Sequence, residues 1–235
     1  MSPDAPALEL VTLTPAPAHE RLMAAFYAGI YLDAFAAQRE PLDVWTRALA
    51  GELPYRQTIR LALAGEQIVG GISYELYPAS RCGLVTYNVV APGARRTGLG
   101  RQLLEGATAE LFAAGARAVF GEVVDPRGPG GAAGPGDPHA EPADVSWARL
   151  ERNQRWGARV LAARYVQPVL GPGLARDRGL VLIALPGPAP LPAAMDGAIP
   201  RAFVEELYAI TEDGPPDPEI AFPDAVPLVL LRRPG

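Results

Sequence analysis

Lysine is absent from this chain of 235 residues, in which all 21 lysine or arginine positions are arginine. The absence excludes enzymes that form a Schiff base through a lysine amine, among them those that use pyridoxal phosphate. It also excludes a P-loop, because that phosphate-binding loop needs a lysine directly after its second glycine. The accompanying abundance of alanine, proline, glycine and arginine favours GC-rich codon usage as the origin of the bias.

Cysteine is almost absent as well, since Cys82 is the single one. No intrachain disulfide can form, which favours a reducing compartment. Cys82 falls in a polar turn, where an unreactive thiol is the favoured interpretation and a nucleophile is the alternative. The N-terminus lacks a signal-peptide pattern, and no apolar run reaches the roughly 18 residues of a transmembrane helix. We therefore expect a bacterial protein of the cytoplasm with no membrane partner.

Basic runs are also missing, and the net charge is −5, so nucleic acid is a poor candidate partner. No cluster of histidine, cysteine and carboxylates has the spacing of a metal site. We expect His19 at a helix terminus and His139 in a flexible spacer, with a catalytic base as the alternative for His139. With 49% hydrophobic and 20% charged residues, the composition is typical of a globular protein of one large domain, or of one domain with an appendage.

The segment 87–101 combines an apolar strand, a turn rich in arginine and glycine, and the start of a helix. Apolar residues at helical spacing indicate the helix: Leu99, Leu103, Leu104, Ala107 and Leu111, with Gly115 as its stop. A first turn that contains Gly98 and Gly100 presents unpaired N–H groups and the positive end of the helix dipole, and it lets an anion approach closely. Arg95, Arg96 and Arg101 add charge that can bind phosphate oxygens. The segment therefore predicts a pyrophosphate-binding turn.

Spacing narrows the choice of pyrophosphate ligand. A Rossmann turn would have a third glycine where Leu103 stands, and a carboxylate about 20 residues later on a second strand. The pattern that remains is Arg-x-x-Gly-x-Gly, from Arg95 to Gly100, after an apolar strand. It resembles the coenzyme A signature of the GNAT superfamily of acyl-CoA N-acyltransferases. An ordinary strand-to-helix turn is the alternative interpretation.

The order of elements along the first 185 residues also resembles that of a GNAT domain. Hydrophobic periodicity and turn residues predict strand 9–13, helices 19–37 and 41–50, strands 56–64, 68–77 and 83–90, helix 98–114, strand 118–124, helix 144–156, and strands 159–169 and 180–185. Between strand 118–124 and the helix that follows it, the Gly- and Pro-rich segment 126–142 predicts a flexible loop.

The composition changes after residue 185. Residues 186–198 predict a Pro-rich linker, a helix begins at Pro200, and residues 226–231 predict a strand that Pro227 confines to a sheet edge. We therefore predict a GNAT acyl-CoA-binding domain over residues 1–185 and an extension over residues 186–235. The resemblance implies an α/β (α+β) fold with a central mixed, mostly antiparallel sheet of about seven strands flanked by helices, plus a C-terminal helical appendage.

A second segment resembles the same superfamily. Residues 149–159 are similar to the family pattern Phe-Tyr-Glu-Lys-x-Gly-Phe, with Gly157 at the position of the family's glycine. Where many members have the tyrosine that protonates the departing thiolate, this chain has Asn153. Residues 121–126 and 165–168 also resemble segments of a little-characterised bacterial subgroup of the superfamily.

The resemblance implies transfer of an acetyl group from acetyl-CoA to a primary amine, by direct attack in a ternary complex. The pantetheine arm is expected to pair with the strand that ends at Val90, where strand 118–124 splays away and leaves the peptide groups of residues 89–91 free. A backbone N–H near Val90 would then polarise the thioester carbonyl. The coenzyme-binding residues that follow are Val89, Val90, Arg95, Arg96, Gly98, Gly100 and Arg101.

A base must remove a proton from the acceptor ammonium group. Glu75 and Glu122 are the candidates on central strands, and Glu122 is favoured because its strand borders the acyl site and its neighbours are apolar. A structural salt bridge is an equal alternative for Glu122, and its candidate partners are Arg60, Arg81 and Arg159. A base early on the strand before the arginine turn is disfavoured, because Leu84 stands there.

Few residues can donate a proton to the departing thiolate. Tyr87 and Tyr165 are the phenols available, and Asn153 occupies the position that the resemblance assigns to the acid. A core or edge-strand aromatic is the alternative interpretation of Tyr165. The predicted catalytic residues are therefore Glu122, Tyr165 and Asn153, with no metal.

The acceptor is expected to be a small molecule, bound between the flexible loop, the strand near Tyr165 and the N-terminal helices. The helical residues in question are Phe26, Tyr27, Tyr31 and Asp33, for which a core role is the alternative. The acidic residues expected around the acceptor favour a cationic amine.

Two other functions compete with acetyl transfer. One is a non-catalytic acyl-CoA-binding or regulatory module, which Asn153 favours, and the other is a partner-binding role for residues 186–235. The amphipathic helix of that extension can dock on its own domain or on a second protomer, as in a homodimer.

Overall fold

The computed structural model describes residues 7–34, 40–128, 142–171 and 174–234. The strands are β1 (Leu8–Thr12), β2 (Arg56–Ala64), β3 (Gln67–Tyr77), β4 (Cys82–Val90), β5 (Ala118–Val124), β6 (Arg159–Leu161), β7 (Leu180–Leu185), β8 (Ala194–Asp196) and β9 (Ala225–Val229). The helices are α1 (Pro17–Phe26), α2 (Leu32–Ala34), α3 (Leu42–Leu49), α4 (Leu99–Ala113), α5 (Ala143–Arg155) and α6 (Ala198–Glu212). Most of the predicted loop 126–142, including His139, lies outside the described residues.

The chain divides into two compact units. The first consists of residues 1–75 and 85–107, and so contains β1, β2, most of β3 and β4, and the first turns of α4. The second consists of residues 76–84 and 108–235. The division into domains at residue 185 stays a prediction.

In the first unit, β1 pairs antiparallel with β2, from Leu8 opposite Ala64 to Thr12 opposite Arg60. Alternate side chains of β2 point to one face, as the period of a strand requires. That face carries the core of the unit, in which aromatic and aliphatic side chains of the helices meet those of the strands. The core residues are Leu13, Met23, Phe26, Tyr31, Trp45, Ile59, Leu61, Leu63 and Tyr87.

The first helical segment is not one regular α-helix. Between α1 and α2 the chain forms a π-helix over Tyr27–Tyr31. A π-helix contains an extra residue in its turn, because its hydrogen bonds span five residues instead of four. The rings of Tyr27 and Tyr31 lie 5.0 Å apart in this arrangement. The predicted helix 19–37 is therefore confirmed as helical through residue 34, but its regular periodicity is interrupted.

In the second unit the strand order is β5-β7-β6-β9-β8, and every pairing in it is antiparallel. The longest pairing joins β5 and β7, from Val119 opposite Leu185 to Val124 opposite Leu180. Both strands are buried along almost their whole length. The continuous apolar sequence of β7 follows from this burial, since a strand covered on both faces needs no polar side, whereas β5 carries one charged residue, Glu122, at a half-buried position.

The C-terminal segment contributes two strands to the second unit. β9 pairs with β6 on one side and with β8 on the other, so the prediction that Pro227 confines this strand to an edge is wrong. Pro227 has no N–H group, but its carbonyl accepts a hydrogen bond from the Ala162 N–H at 2.9 Å. The next residue, Leu228, donates its N–H to the Ala193 carbonyl at 2.9 Å and so joins the strand to the β8 side.

The described residues form nine strands, so the mixed α/β class is confirmed and the expected number of about seven is corrected upward. The additional strands are β8 and β9, which are short and follow the Pro-rich segment. The helix between them, α6, accepts two backbone hydrogen bonds through Glu206, from Ala79 at 3.0 Å and from Ser80 at 2.7 Å. The C-terminal segment is thus bonded to the turn between β3 and β4.

Candidate active site

The predicted coenzyme turn joins the end of β4 to the start of α4. After Val90 and one linking residue, the chain makes a single 3-10 turn over Pro92–Ala94 and then becomes extended at Arg95. The proline suits the first position of this turn, because its fixed φ matches helical backbone.

Two residues of the turn, Arg96 and Gly98, have a left-handed backbone conformation. Arg96 has a φ of 70° and Gly98 a φ of 92°. Left-handed backbone is costly for a residue with a Cβ atom and readily adopted by glycine. Between these residues, the Thr97 hydroxyl donates a hydrogen bond to the Ala94 carbonyl at 2.8 Å and closes the turn.

The first turn of α4 directs its backbone N–H groups into this turn. Leu99 N–H has only a hydroxyl acceptor, at 3.4 Å, and the first bond of the helical pattern runs from Gln102 to the Gly98 carbonyl at 3.0 Å. Helix geometry leaves the N–H groups of Gly100 and Arg101 without an intrahelical acceptor. Donors at the positive end of a helix dipole are suited to binding an anion.

The three arginines of the turn are all exposed. Arg95 Nε donates to the Val90 carbonyl at 3.2 Å, which holds the guanidinium close to the end of β4. Arg101 forms an ion pair with Glu105 at 2.8 Å, and both side chains are more than half exposed, so this pair contributes little stability and can open. Within the described part of the chain, Arg96 has neither an ion pair nor a hydrogen bond from its side chain. The turn therefore offers positive charge that is not committed to the fold.

Replacing Gly98 by valine is expected to weaken acetyl-CoA binding by about tenfold or more, because a branched side chain would keep an anion away from the N–H groups. No atom lies within 4 Å of the position a Cβ would take at Gly98, so the loss would not come from a clash within the protein. Isothermal titration measures the affinity.

The matched control is Gly65→Val, at a turn glycine that also has a left-handed φ, of 61°, and open space around it. Both variants carry the same kind of backbone strain. An equal change of affinity in the two variants would mean that strain, and not access to the turn, is responsible.

Backbone pairing at the end of β4 differs in part from the prediction. The Ala91 N–H donates to the Val69 carbonyl of β3 at 2.9 Å, and the Val90 carbonyl accepts from Arg95. The expectation that the peptide groups of residues 89–91 are all free is therefore wrong. Because successive N–H groups of a strand point to opposite edges, the Val90 N–H points away from β3. That direction is compatible with the predicted role of this N–H group.

Two contacts hold the first turn of α4 against the strands of the first unit. Asn88 Nδ2 donates to the Gly100 carbonyl at 2.8 Å. At Gly70 an added Cβ would lie 2.9 Å from the Val89 carbonyl oxygen and 3.3 Å from a methyl group of Leu99. Glycine at this position thus permits the close approach of helix and strands that sets the direction of the turn.

The predicted base and one predicted acid meet in the second unit. The Glu122 carboxylate, on β5, accepts hydrogen bonds from the Tyr165 hydroxyl and from Gln167 Nε2, the latter at 2.8 Å. Arg81 and Arg159, considered as salt-bridge partners, donate to backbone carbonyls. Glu122 is half-buried and Tyr165 is buried. The pairing of a carboxylate with a phenol keeps both as candidates for proton transfer.

Burial and the neighbouring Glu122 carboxylate raise the pKa of Tyr165 well above its ordinary value. The phenol therefore stays protonated throughout the physiological range and donates its hydrogen bond to Glu122. A raised pKa also makes it a weaker acid toward a thiolate, since the ordinary pKa of a thiol is about 8.5. The electrostatics thus favour Tyr165 as the residue that orients Glu122.

Asn153 lies near the end of α5, where its role in the helix is clear. Its Nδ2 donates to the Arg149 carbonyl at 3.1 Å, and its own carbonyl accepts from the Ala158 N–H at 3.0 Å as the helix ends. Gly157 follows with a φ of 101°, a left-handed helix terminus that favours glycine. An amide side chain has no proton to release in the physiological range. The catalytic role of Asn153, like those of Glu122 and Tyr165, stays a prediction.

The aromatic residues of the N-terminal helices form a packed cluster with β4. Tyr31 lies 4.7 Å from Trp45 and 4.7 Å from Tyr87 between ring centroids. Phe26 and Tyr31 are buried, Tyr27 is half-buried and Asp33 is exposed. Other residues considered for the site are likewise in the interior, since Glu75 is 2% exposed and Leu84 3% exposed.

Glu40, which sequence reasoning missed, joins this cluster through its side chain. Trp45 Nε1 donates to Glu40 Oε2 at 2.9 Å, and a hydrogen bond also links the carboxyl group to Tyr87. Burial raises the pKa of Glu40, and the two hydrogen bonds oppose this shift in part. The signal in the sequence is a glutamate directly before Pro41, where α3 begins, with its tryptophan partner five residues further on.

The raised pKa of Glu40 predicts that folding stability depends on pH. The folded protein binds the carboxyl proton of Glu40 more tightly than the unfolded chain does. Protonation of Glu40 therefore contributes to the free energy of unfolding at low pH, and this contribution is lost as pH rises above the ordinary carboxyl pKa of 4.5. Glu40→Gln keeps the side-chain shape but removes the titration. The variant is expected to gain stability relative to the parent between about pH 5 and about pH 8 in thermal unfolding. A constant difference across that range would contradict the assignment.

Two further residues that could take part in chemistry, Cys82 and His19, are held in place by the fold. Cys82 is buried, and burial raises the pKa of its thiol to about 11, which makes it unreactive. His19 Nδ1 lies 3.0 Å from the Thr14 backbone nitrogen and 2.9 Å from the Thr14 hydroxyl oxygen, at the start of α1.

Across the described ranges, no group of three or more histidine, cysteine and acidic residues is arranged to hold a metal ion. None of the helices described is long and apolar enough to cross a membrane.

Comparison with known proteins bears on this site directly. Residues 21–129 match the model of the acetyltransferase (GNAT) family. This range begins in α1 and contains β2 to β5 and the arginine turn. No curated protein matches the chain.

Solved structures resemble the fold at low sequence identity. A GNAT-family protein from Bacteroides thetaiotaomicron has a TM-score of 0.54 and 16% identity, over 79% of this chain and 89% of the other. The ribosomal-protein-S18-alanine N-acetyltransferase of Escherichia coli has a TM-score of 0.48 and 14% identity, over 77% and 94%. A Bacillus subtilis acetyltransferase in complex with CoA has a TM-score of 0.47 and 15% identity, over 76% and 98%. At 16% identity, the similarity to the Bacteroides thetaiotaomicron protein shows a shared fold and nothing further.

Residues 21–129 therefore carry an acetyltransferase domain of the GNAT family, and the enzyme class that this domain defines is acyltransferase. The resemblance stated from the arginine turn is confirmed, and so is the fold class, with the larger number of strands noted above. Acyl transfer is the activity that follows from the family.

Proposed function

We propose that this protein is an N-acetyltransferase that moves an acetyl group from acetyl-CoA to a primary amine of a small molecule. The observation that supports the proposal most directly is the arginine turn. It combines uncommitted positive charge, open space at Gly98 and N–H groups of a helix first turn that lack acceptors within the helix. These features fit a pyrophosphate better than an ordinary strand-to-helix turn, which needs none of them.

The residues of the turn would hold the coenzyme in distinct ways. The N–H groups of Gly100 and Arg101 would donate to the pyrophosphate, and the three arginine guanidinium groups would balance its charge. Val89 and Val90 would pair with the pantetheine arm, along the edge of β4 that faces away from β3. The Val90 N–H would then stabilise the negative charge that develops on the thioester oxygen during attack.

Proton transfer is assigned to the second unit in this proposal. Glu122 would accept the proton that the attacking amine loses, and Tyr165 would orient its carboxylate. The role of acid toward the thiolate, predicted for Tyr165 or Asn153, remains to be tested by substitution. Thiolates of ordinary pKa are acceptable leaving groups from thioesters, so water can supply the final proton. A direct attack in a ternary complex needs no covalent intermediate on this chain, and the reducing cytoplasm expected from the single cysteine suits free coenzyme A.

Isothermal titration with acetyl-CoA, followed by a thiol-release assay over a panel of primary amines, tests the proposal. We expect saturable binding of one acetyl-CoA for each chain and release of thiol with at least one small amine. A chain that binds acetyl-CoA but releases no thiol with any amine would be a binding module. Absence of acetyl-CoA binding would remove the proposed donor altogether.

A further inference from the structure

Gln167 is the second residue that donates to the Glu122 carboxylate, and the proposed function gives it no role. Its Nε2 donates to Glu122 Oε2 at 2.8 Å, while the Tyr165 hydroxyl donates to the other carboxylate oxygen. Gln167 is only 6% exposed, so water has little access to its side chain. The carboxylate is thus held through both oxygen atoms, and a rotation of its plane would break at least one of the two bonds.

Both donors lie on an irregular segment that follows β6. Residues 164–169 lie outside the strands, and Gln167 forms an isolated antiparallel bridge with Asp177. In this bridge the Gln167 N–H donates to the Asp177 carbonyl at 2.8 Å, and the Asp177 N–H donates to the Gln167 carbonyl at 3.0 Å. The other peptide groups of a buried irregular segment need partners from elsewhere in the fold.

The helix α6 supplies such partners on both sides of Gln167. The Tyr208 hydroxyl donates to the Val166 carbonyl at 3.0 Å, and the Val169 N–H donates to Glu212 Oε1 at 2.7 Å. Val166 directly precedes Gln167, and Val169 follows two residues after it. The backbone that carries Gln167 is therefore fixed by two side chains of α6.

Arg176 connects this part of α6 to the other side of the segment. Its Nε and Nη2 donate to Glu212 Oε2 at 3.0 Å and 2.6 Å, and its guanidinium group lies 5.0 Å from the ring centroid of Tyr208. Arg176 directly precedes Asp177, the backbone partner of Gln167. The contacts form a closed network, because the segment is bonded to α6 directly and also through Asp177 and Arg176.

We propose that Gln167 is a positioning residue for acyl transfer, which α6 fixes against the Glu122 carboxylate through Tyr208 and Glu212. The proposal rests on the proposed function, because it concerns the base of that reaction. Gln167, Tyr208 and Glu212 all lie beyond residue 129, where the match to the family model ends. A helix of the C-terminal segment thus supports a carboxylate that lies inside the matched range.

A hydrogen bond from a neutral amide stabilises the ionised form of a carboxyl group. Loss of the Gln167 donor should therefore raise the pH at which Glu122 takes up its proton. Tyr165 is the titratable group bonded to Glu122, and Tyr208 acts on Tyr165 by its charge. From the paired strand β7, the apolar residue Leu182 stands opposite Glu122.

Carbon-13 NMR of the glutamate carboxyl groups tests this effect without the need for turnover. The full-length chain is labelled at glutamate, and the Glu122 signal is assigned by its loss in Glu122→Gln. In Gln167→Met, which keeps the side-chain length but has no donor, we expect the titration midpoint of Glu122 to rise by about one pH unit. Gln154→Met, which removes a glutamine bonded to Leu231 in the same unit, should leave that midpoint unchanged.

The kinetic counterpart uses an amine that the parent acetylates. Gln167→Met is expected to lower the plateau value of kcat about tenfold, because the carboxylate loses its fixed orientation, while the affinity for acetyl-CoA stays the same. The acidic limb of kcat/KM should move to higher pH together with the NMR midpoint.

Tyr208→Phe tests the contribution of α6, because it keeps the ring and removes the hydroxyl that bonds the Val166 carbonyl. We expect the Glu122 midpoint to rise by a smaller amount and kcat to fall about three- to tenfold, with acetyl-CoA affinity unchanged. Thr211→Val is the matched control, since it removes an α6 hydroxyl that bonds only within the helix, to the Leu207 carbonyl at 2.8 Å.

Three results would overturn the proposal. They are an unchanged Glu122 midpoint in Gln167→Met, an unchanged kcat in that variant, and equal behaviour of Tyr208→Phe and Thr211→Val. A parent chain that releases no thiol with any amine, while the midpoints move as expected, would instead count against the proposed function.

Discussion

Glu122→Gln is expected to lower kcat by about 10²- to 10⁴-fold with an amine that the wild-type protein acetylates, while acetyl-CoA binds as before. The carboxylate is the proposed proton acceptor, and glutamine keeps its size but cannot take up the proton. Tyr165 can still donate a hydrogen bond to the glutamine oxygen, so the local structure should persist. Steady-state kinetics measures kcat, and isothermal titration measures coenzyme binding in the same preparation.

The pH profile separates catalysis from a structural role of Glu122. In the parent, the acidic limb of kcat/KM should report the base, and that limb should disappear in Glu122→Gln. Tyr165→Phe removes a hydrogen bond to the carboxylate form, which should move the limb to higher pH. Glu205→Gln, at an exposed position of α6, is the matched control. An acidic limb that persists unchanged in Glu122→Gln would assign the base to another residue.

Replacing Arg95 and Arg96 together by alanine is expected to weaken acetyl-CoA binding by about ten- to a hundredfold. Each charge-assisted hydrogen bond to a phosphate contributes roughly 1.5–3 kcal/mol, and solvent screening at an exposed turn reduces this amount. Neither side chain is part of a described ion pair, so folding stability should change little. Isothermal titration at two salt concentrations measures both the affinity and the share of it that depends on charge.

Two further variants sharpen this result. Arg233→Ala removes an exposed arginine near the chain end and should leave coenzyme affinity unchanged. A double replacement of Arg95 and Arg96 by lysine, a residue this chain lacks, keeps the charge but loses the planar fork. Intermediate affinity would indicate that geometry and charge both contribute. If the alanine double variant binds as tightly as the parent, the coenzyme is held elsewhere.

The coenzyme turn could be predicted from the sequence because the residues that determine its conformation are close together in the chain. Two glycines, a helix that begins with them and an apolar strand before them lie within about 15 residues, and each has a direct conformational meaning. The left-handed φ at Gly98 follows from the same reasoning. The bond from the Ala91 N–H to β3 did not follow, because strand pairing depends on register with a distant segment.

Features that depend on distant partners were harder to predict. Glu122 and Tyr165 were each identified, but their hydrogen bond joins positions 43 residues apart. β9 was identified as a strand, yet Pro227 was taken to exclude it from the sheet interior, whereas its carbonyl alone suffices for pairing there. Glu40 was missed because its partner Tyr87 lies on β4, far along the chain, and the glutamate before Pro41 does not by itself indicate which residue it contacts.

The π-helical turn over Tyr27–Tyr31 gives the first helical segment one residue that a regular α-helix would not contain. Loss of a single codon in this turn would restore regular winding. Residues on either side of the turn would keep the faces they have now, because a π-turn absorbs one extra residue without rotating the helix that follows it. This turn is therefore the position at which the N-terminal helical segment can lose one residue with the least change to the packing of its flanking turns.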